Sequence, residues 1–389
     1  MGQDVSVVGV GMTPMSRRDL DPSSMARQVV AEALADAGLG PSEVGLVVLA
    51  NALGGRLCDQ GCIRGQAWLR GAGLGTAAVV NVDNSCAGGS SALHLGTMAA
   101  QSGGSPVLVV GVEKMWTGDR AATLAGIEDG LPADDRHALR TRLDNDSGSI
   151  LMALNASWVR HQVEARSTTV EDVAATAAKA RRQASQNPLA QFPTAVTAEE
   201  VLASPAVVAP LTRLMCSSFT DGAAAVVLTG GSAHGSPRIT ASVLRSGTGD
   251  MDYHDRLTET AEVAWKEAAV GPGDVDVVEL HDATSAEELW ALEALGFFAA
   301  GEAGPATRQG RTSASGAGPY VNPSGGLVGR GHPLGATGLC QVVEVVTQLR
   351  GRAGARQRPD SAVGVAVNTG GILAGRDAAL VAVHVLEAR

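Results

Sequence analysis

Short apolar runs alternate along this chain with longer stretches in which Ala and Leu recur at helical spacing. The β-branched runs predict strands at Val5–Val10, Val44–Leu49, Ala78–Val82, Val107–Val112, Ala223–Leu228, Ile239–Leu244, Val275–Leu280, Ala362–Val367 and Ala378–Val385. The Ala-rich stretches predict helices at Pro22–Ala37, Ala87–Gln101, Glu171–Gln186, Glu259–Ala269, Ser285–Leu295 and Ala336–Leu349. Strands that alternate with helices indicate an α/β architecture.

Two segments of the chain resemble each other. Residues 36–49 read DAGLGPSEVGLVVL and residues 267–280 read EAAVGPGDVDVVEL, and each leads from a helix through a Gly-Pro turn into a strand. A single similarity of this length also fits an ordinary helix-to-strand connection. However, each half later has a Gly-rich turn that precedes a helix, at Cys86–Ser91 and at Gly331–Gly338. The ordered recurrence of these features predicts a duplicated α/β domain.

The predicted division of the chain follows from this repeat. The turn-rich sequence GGSAHGSP separates an N-terminal half, residues 1–232, from a C-terminal half, residues 233–389. Residues from about 115 to 170 do not fit the repeat, because they are charged and poor in strands. We interpret them as a loop insertion in the first half.

Composition and charge argue against several classes of function. The chain has 389 residues, of which 45% are hydrophobic and 18% charged, as expected of a folded globular protein. A net charge of −10 argues against a nucleic-acid-binding surface. No segment approaches the roughly 18 apolar residues of a membrane span, and Asp4 stands where a signal peptide is basic. The odd, sparse set of cysteines indicates reduced thiols and a cytoplasmic location: Cys58, Cys62, Cys86, Cys216 and Cys340.

Cys86 is the first candidate for chemistry. The predicted strand Ala78–Val82 runs into a tight turn that holds Cys86, and an Ala/Leu helix follows. A helix N-terminus favours the thiolate, which is the reactive form of cysteine. A buried structural cysteine is the alternative interpretation, and the local sequence leaves both open.

Two histidines and a glycine are the other candidates. His332 lies on a Gly-rich loop before a helix, where we expect an exposed imidazole that could act as a base for a cysteine. His281 follows the end of a predicted strand, the place where ligands gather in open α/β sheets. Asp282, the next residue, is interpreted as a cap or turn residue. A backbone N–H at Gly370, at the end of another strand, could serve an oxyanion hole.

Five motifs together resemble the thiolase superfamily in order and spacing, from about Val5 to Val385. They are NSCAGGSSALHLG, CSSFTDGAAAVVL, ELHDA, NPSGGLVGRGHPLGATG and NTGG. The HDA triplet resembles the sterol-carrier-protein-x type and archaeal thiolases. The resemblance implies a five-layered α-β-α-β-α fold and acyl-CoA as substrate, with no permanently bound cofactor and no metal. It also implies a homodimer, and we expect it to form through an edge strand around Val107–Val112, which is apolar on both faces.

The same resemblance implies roles for the candidate residues. Cys86 would be the acylated nucleophile, and His332 would activate it and help to polarise the thioester carbonyl. His281 would replace the Asn-held water that completes this first oxyanion hole. The N–H groups of Cys86 and Gly370 would form a second oxyanion hole.

The chain also departs from the thiolase pattern at the second catalytic cysteine. The Cys-x-Gly motif of biosynthetic and degradative thiolases reads Asn368-Thr369-Gly370 here. The sterol-carrier type often places a cysteine at the position of Ala283. The base for the substrate α-carbon is therefore not identified by resemblance. Related thiolases with this departure often work with a small OB-fold partner, which the resemblance allows here too.

Two other functions stay open at this point. A thiolase-like aldolase or lyase would not need the nucleophilic Cys86, and a non-catalytic scaffold subunit would need none of the candidate residues. Arg181 and Arg182 could meet a CoA phosphate or form a solvated helix face. Tyr320 could line a pocket, whereas Cys216 and Cys340 are expected to serve packing.

Overall fold

A computed structural model of the chain describes residues 4–17, 20–143, 148–165 and 168–389. The strands are β1 (Val5–Met12), β2 (Leu46–Ala50), β3 (Ala78–Val82), β4 (Val107–Glu113), β5 (Ala206–Val208), β6 (Leu211–Thr212), β7 (Gly222–Gly230), β8 (Arg238–Ser246), β9 (Val277–Glu279), β10 (Tyr320–Val321), β11 (Val363–Leu373) and β12 (Asp377–Glu387).

The α-helices are α1 (Pro22–Ala37), α2 (Gly54–Leu57), α3 (Arg64–Trp68), α4 (Gly88–Gln101), α5 (Arg120–Glu128), α6 (Ala133–Arg142), α7 (Ile150–Ala165), α8 (Val170–Ala184), α9 (Ala198–Leu202), α10 (Tyr253–Ala268), α11 (Ser285–Ala294), α12 (Ala303–Arg308), α13 (Gly326–Gly329) and α14 (Thr337–Leu349). Each strand and helix predicted from the apolar pattern is present. The sequence did not predict the short strands β5, β6 and β10 or the helices α2, α3, α5, α6, α7, α9, α12 and α13.

The chain is an internal duplication. Ten strands pair in the order β10-β9-β11-β12-β8-β1-β7-β4-β2-β3. The first half of the chain contributes the order β3-β2-β4-β7-β1, and the second half repeats it as β10-β9-β11-β12-β8. Only two residue pairs, Val5 with Ile239 and Ser6 with Arg238, join the halves through β1 and β8. The duplicated fold predicted from the sequence is confirmed, while the boundary at residues 232 and 233 stays a prediction.

Two helices form the middle of five layers. α4 packs against β2 and β4, α14 packs against β9 and β11, and the two helices contact each other between the halves of the sheet. α1 covers the outer face of the first half, and α10 covers that of the second half. Apolar side chains fill the middle layer, among them Leu93 of α4 and Leu339 of α14. The layered core thus fixes α4 and α14 relative to each other.

The insertion in the first half is longer than the sequence suggested. Residues 114–221 separate β4 from β7, whereas residues 374–376 separate the equivalent β11 and β12. The described part of this insertion holds α5 to α9 and the β5–β6 hairpin. The helix expected at Glu171–Gln186 forms as α8, but it belongs to this insertion rather than to the repeat.

The expectation that Val107–Val112 is an edge strand is wrong. It forms β4, which pairs with β2 on one side and with β7 on the other, so its two apolar faces are buried between helix layers. The edge of the first half is β3, which pairs only with β2. In the described residues we find no helix that is long and apolar enough to cross a membrane. The cytoplasmic location stays a prediction.

Candidate active site

The N-termini of the two central helices meet at one place. A short 3₁₀ turn, Ser85–Ala87, leads into α4, and an equivalent turn, Leu334–Ala336, leads into α14. A Cβ on Gly89 would lie 3.0 Å from the carbonyl oxygen of Gly335, and a Cβ on Gly338 would lie 2.2 Å from Oγ of Ser90. The two helix starts therefore approach closely because their contact residues are glycines.

Cys86 lies in the turn that begins α4. Its neighbour Ser85 has a φ of 51°, a left-handed conformation that is uncommon for a residue with a side chain. This backbone turns the chain sharply from β3 into α4 and presents Cys86, which is half-buried. Cys86 therefore directly precedes the N-terminal end of α4, the end of a helix that favours negative charge.

Three predicted site residues converge. The Sγ of Cys86 and one ring nitrogen each of His281 and His332 all lie within 4.8 Å of one another. The two imidazole rings are edge to face, with their centroids 5.3 Å apart. Cys86 comes from the first half of the chain and both histidines from the second, so the site forms where the halves meet.

His332 is buried, which differs from the exposed loop position expected from its flanking glycines. Its Nδ1 lies 2.8 Å from Oγ1 of Thr337, and the Thr337 hydroxyl donates to the carbonyl of Pro333. Nδ1–H must therefore donate to Thr337, which leaves the lone pair on Nε2. Burial lowers the pKa of His332 well below 6.5, and positive charge on His281 and Arg330 lowers it further. His332 is neutral at pH 7 and has the tautomer of a general base.

His281 has the opposite electrostatic setting. Its Nδ1 lies 3.0 Å from Oγ1 of Thr369 and 3.5 Å from Oε2 of Glu287. Burial opposes the charged imidazole, but hydrogen bonding and charge from Cys86 and Glu287 outweigh it and raise the pKa of His281 to about 10. Oγ1 of Thr369 is also 3.2 Å from the hydroxyl of Tyr253. A cationic His281 thus lies beside a neutral His332, so two like side chains have opposite protonation states.

Gly370 packs directly on the turn that carries Cys86. A Cβ at this position would lie 2.4 Å from the carbonyl oxygen of Asn84 and 2.6 Å from the backbone N of Ala87. Any larger residue would push β11 away from Cys86. Because β11 lies so close to this turn, only a glycine fits at position 370, and the end of β11 lies beside Cys86.

These residues line a cavity of about 1020 Å³. The insertion supplies much of its wall, including Leu124, Met152 and Trp158, and the second half supplies Tyr253 and Ile372. The lining is mostly apolar, with Cys86, the two histidines and a few other polar groups, as in sites that hold organic ligands.

Sequence reasoning missed several contributors to this cavity. Tyr320 is buried in β10 and does not line it, whereas Tyr253 does. Cys216, expected only to pack, also lines the cavity, although burial raises the pKa of its thiol to about 12. Glu287 lies in the first turn of α11, six residues after His281, and this short spacing from a motif histidine was the available signal.

Asp282 has the capping role that its position suggested, but on another helix. Its Oδ1 accepts a hydrogen bond of 2.7 Å from the backbone N of Leu327, in the first turn of α13. The carboxyl is buried, and burial raises its pKa well above 3.8. Asp282 therefore anchors the segment before His332 and does not face the substrate cavity.

Cys86, His281 and His332 also have the donor types of a zinc site with three protein ligands. Nδ1 of each histidine is engaged by a threonine, which leaves one nitrogen of each ring for the cavity. The sequence predicted no metal, and this stays a prediction.

Comparison with known proteins identifies the family. The model described as "Thiolase, N-terminal domain" matches residues 5–232, and the one described as "Thiolase C-terminal domain-like" matches residues 246–383. An acetyl-CoA acetyltransferase of Methanothermobacter thermautotrophicus is 36% identical over 95% of this chain and 97% of its own length. Sterol carrier protein 2 of Oryctolagus cuniculus is 33% identical over 94% of this chain and 70% of its own length.

A solved structure called "Ltp2-ChsH2(DUF35) aldolase" has a TM-score of 0.83 and 22% identity, covering 99% of this chain and 98% of that chain. At this identity the likeness shows the fold. The two family models and the relatives show that the chain belongs to the thiolase family. The chain is an acyltransferase of that family.

Proposed function

We propose that this acyltransferase takes an acyl group from coenzyme A as a thioester on Cys86 and passes it to a second acyl-CoA or to another acceptor. The observation that carries this proposal is the convergence of Cys86, His281 and His332 within 4.8 Å in a large, mostly apolar cavity. A thiol, a neutral base and a cation are the groups that acyl transfer requires.

In the first half-reaction, His332 accepts the proton of Cys86, and the thiolate attacks the thioester carbonyl of acyl-CoA. A C–S bond to Cys86 forms, the C–S bond to CoA breaks, and the proton on His332 passes to the departing CoA sulfur. The cationic His281 stabilises the thiolate before the attack. Glu287, with Oε2 at 3.5 Å from Nδ1 of His281, supports the charge of that imidazole.

Developing negative charge on oxygen has two candidate binding sites. We assign the first oxyanion hole to His332 and His281, and the second to the backbone N–H groups of Cys86 and Gly370. The packing of Gly370 on the turn of residues 84–87 supports the second assignment. Donors that are already fixed in place favour the tetrahedral intermediate over the planar thioester.

Coenzyme A enters this scheme as a substrate, with no permanently bound cofactor. Arg17, Arg120 and Arg213 line the same cavity and are exposed, which suits the phosphates of a CoA molecule that reaches out to solvent. Arg17 also lies over the ring of Trp116 at 4.8 Å, so its charge is held in place at the cavity wall.

The second half-reaction lacks an evident base at the acceptor α-carbon. Ala283 lines the cavity and has no titratable group, while Asn368 is buried with its amide donating to Gln341. We propose that His281 becomes this base. Acylation leaves no negative charge on Cys86, which removes one of the causes that raise the pKa of His281. His281 then loses its Nε2 proton to solvent, and Nε2 can accept the proton of the acceptor α-carbon.

We predict an imbalance between the half-reactions with acetyl-CoA. The first should be fast, because nucleophile and base are preformed, and condensation should be slow, because one histidine must serve twice. Rapid mixing at high enzyme concentration should release one CoA per active site, and the intact protein should gain one acetyl group by mass spectrometry. Little acetoacetyl-CoA should follow.

Sustained turnover at tens per second, in the upper part of the usual enzyme range, would contradict the slow second step. The same mass measurement separates the alternatives. An aldolase or lyase of thiolase fold would cleave its substrate without gaining acyl mass. A scaffold subunit would neither gain mass nor release CoA.

A partner protein or a non-CoA acceptor would remove this imbalance. We propose a small OB-fold protein as one such partner, following the resemblance to thiolases that lack the second cysteine. If it is correct, adding the partner should accelerate the second step and leave the initial CoA release unchanged.

We further propose a homodimer, formed through β3. This strand pairs on one side only, and the side chain of Val80 is 45% exposed at its free edge. Met98 on the neighbouring α4 is 55% exposed. An unpaired apolar edge invites pairing with another chain unless it is covered.

We predict that Val80→Lys weakens this dimer. The wild type should have the mass of a dimer at micromolar concentration in light scattering, and V80K should shift toward the monomer because the new charge would be buried between edges. Leu202→Lys, at an exposed apolar residue of α9, is the matched control and should leave the mass unchanged. A monomeric wild type would rule out the proposal.

A further inference from the structure

Arg181 is a buried cation that no acidic side chain among the described residues neutralises. Its side chain lies on α8, lines the catalytic cavity and is only 8% exposed. Its Nε is buried and has no hydrogen-bond acceptor. No carboxylate among the described residues lies within salt-bridge distance of its guanidinium, although buried guanidinium groups in proteins are normally paired.

The guanidinium is nevertheless held in a defined position. It stacks over the ring of Phe192, with 4.3 Å from Cζ to the ring centroid. Burial lowers the pKa of Arg181, but an arginine stays charged at neutral pH. A stacked, planar guanidinium with free donors is preorganised to bind a planar anion through two hydrogen bonds.

Arg181 is linked to the catalytic base by a short series of contacts. Phe192, its stacking partner, directly follows Gln191, whose Oε1 accepts a hydrogen bond of 2.6 Å from Thr220. Oγ1 of Thr220 accepts a hydrogen bond of 3.1 Å from the backbone N of His332. Arg181 therefore lies on the wall of the same cavity as Cys86 and is connected to His332 through this series of contacts.

The other arginines of the cavity have a different setting. Arg17, Arg120 and Arg213 are exposed, and Arg17 already donates to Ser218 and to the carbonyl of Phe219. The one carboxylate in the described lining is Glu287, which serves His281. The charge of Arg181 is thus not offset from within the cavity and calls for an anion from the ligand.

We infer that Arg181 binds a free carboxylate at the far end of the acyl group that Cys86 accepts. This inference rests on the proposed function and gives it a substrate class: CoA thioesters of dicarboxylic acids. A carboxylate matches the flat, two-donor face of the guanidinium, and it satisfies a buried charge that a purely aliphatic acyl chain would leave unpaired.

The test compares matched thioesters by calorimetry in a Cys86→Ala background, where no acyl transfer occurs. Succinyl-, glutaryl- and adipyl-CoA carry the carboxylate, and butyryl-, pentanoyl- and hexanoyl-CoA are neutral chains of equal length. At least one dicarboxylic thioester should bind more tightly than its neutral match. Arg181→Gln should reduce this ratio of dissociation constants about 10- to 100-fold, the range for a charged, partly buried hydrogen-bonded pair.

Two variants keep the result interpretable. Arg182→Gln, at the exposed next residue of α8, should leave the ratio at its original value. Arg181→Lys keeps the charge and loses the planar fork, so it should retain part of the preference. Because no acidic side chain among the described residues neutralises Arg181, R181Q should also unfold at the same temperature as the parent or above it.

Each other outcome overturns the inference. If R181Q weakens free CoA as much as the dicarboxylic thioesters, the anion is a CoA phosphate. If no dicarboxylic thioester binds better than its match, or the ratio survives R181Q, there is no carboxylate site. Failure of the proposed function is a separate result, because it would appear as the absence of acyl mass on an unmodified Cys86 with every thioester.

Discussion

Cys86→Ala is expected to abolish the acyl adduct and to reduce overall acyl transfer by about 10⁴- to 10⁶-fold, the range for loss of a covalent nucleophile. No nearby group can replace the thiol. Cys216 lines the same cavity, but with a pKa near 12 it remains a protonated thiol at pH 7. Intact mass after mixing with acyl-CoA, followed by peptide mapping of the adduct, measures the effect.

Cys62→Ser is the matched control, since Cys62 is an exposed free thiol that does not line the cavity. It should gain the acyl group at the wild-type rate. An adduct that persists in C86A, on Cys216 or elsewhere, would show that Cys86 is not the nucleophile and would reopen the assignment of the whole site.

The second large effect should come from His332→Ala. The first-turnover release of CoA should slow by about 10²- to 10⁴-fold, the usual contribution of a positioned general base. His332 is the neutral histidine of the pair and holds its proton on Nδ1 against Thr337, so its Nε2 is ready to accept the thiol proton. His137→Ala, at an exposed histidine of α6, should have no effect.

The pH profile of the first turnover should identify the two histidines separately. The pKa of His332 lies well below 6.5, so wild-type rates should not fall between pH 7 and pH 6. The pKa of His281 is about 10, so its cation persists to that pH and the rate should decline only above it. In H332A the alkaline decline should remain near pH 10. A wild-type rate that falls with a midpoint near 6.5 would contradict this division of roles.

The fold could be predicted from the sequence because the patterns that indicate its strands and turns are local and occur in both halves. The β-branched runs gave the strands of both halves, and the Gly-Pro turns before β2 and β9 form as short 3₁₀ turns, Pro41–Glu43 and Pro272–Asp274. Pairing partners are not local. A run that is apolar on both faces, such as Val107–Val112, fits either an internal or an edge strand, and nothing in its local sequence places β2 and β7 on its two sides.

The sequence predicted those candidate site residues that belong to recognisable motifs. It did not predict the residues that contact them. Cys86, His281, His332 and Gly370 line one cavity, while the roles that the resemblance implies for them stay predictions. Their partners were not anticipated, because Thr337, Thr369 and Glu287 are ordinary side chains whose importance comes from distances of 2.8, 3.0 and 3.5 Å to an imidazole. Flanking glycines also suggested an exposed His332, whereas packing between the halves buries it.

The two equivalent helix starts differ in what occupies them. In the turn before α14, Gly335 holds the place that Cys86 holds before α4, and its backbone N donates to Oε2 of Glu113 over 2.9 Å. The same carboxyl accepts hydrogen bonds from the backbone N of Ala52 and of Leu53, and burial raises its pKa to about 7. The carboxyl of Glu113 thus occupies the helix start before α14, where a Cβ on Gly335 would lie 2.9 Å from Oε2 of Glu113. Of the two equivalent helix starts, the one before α14 is therefore occupied by a carboxyl of the chain itself. The one beside Cys86 is where we propose that an oxyanion of the ligand binds.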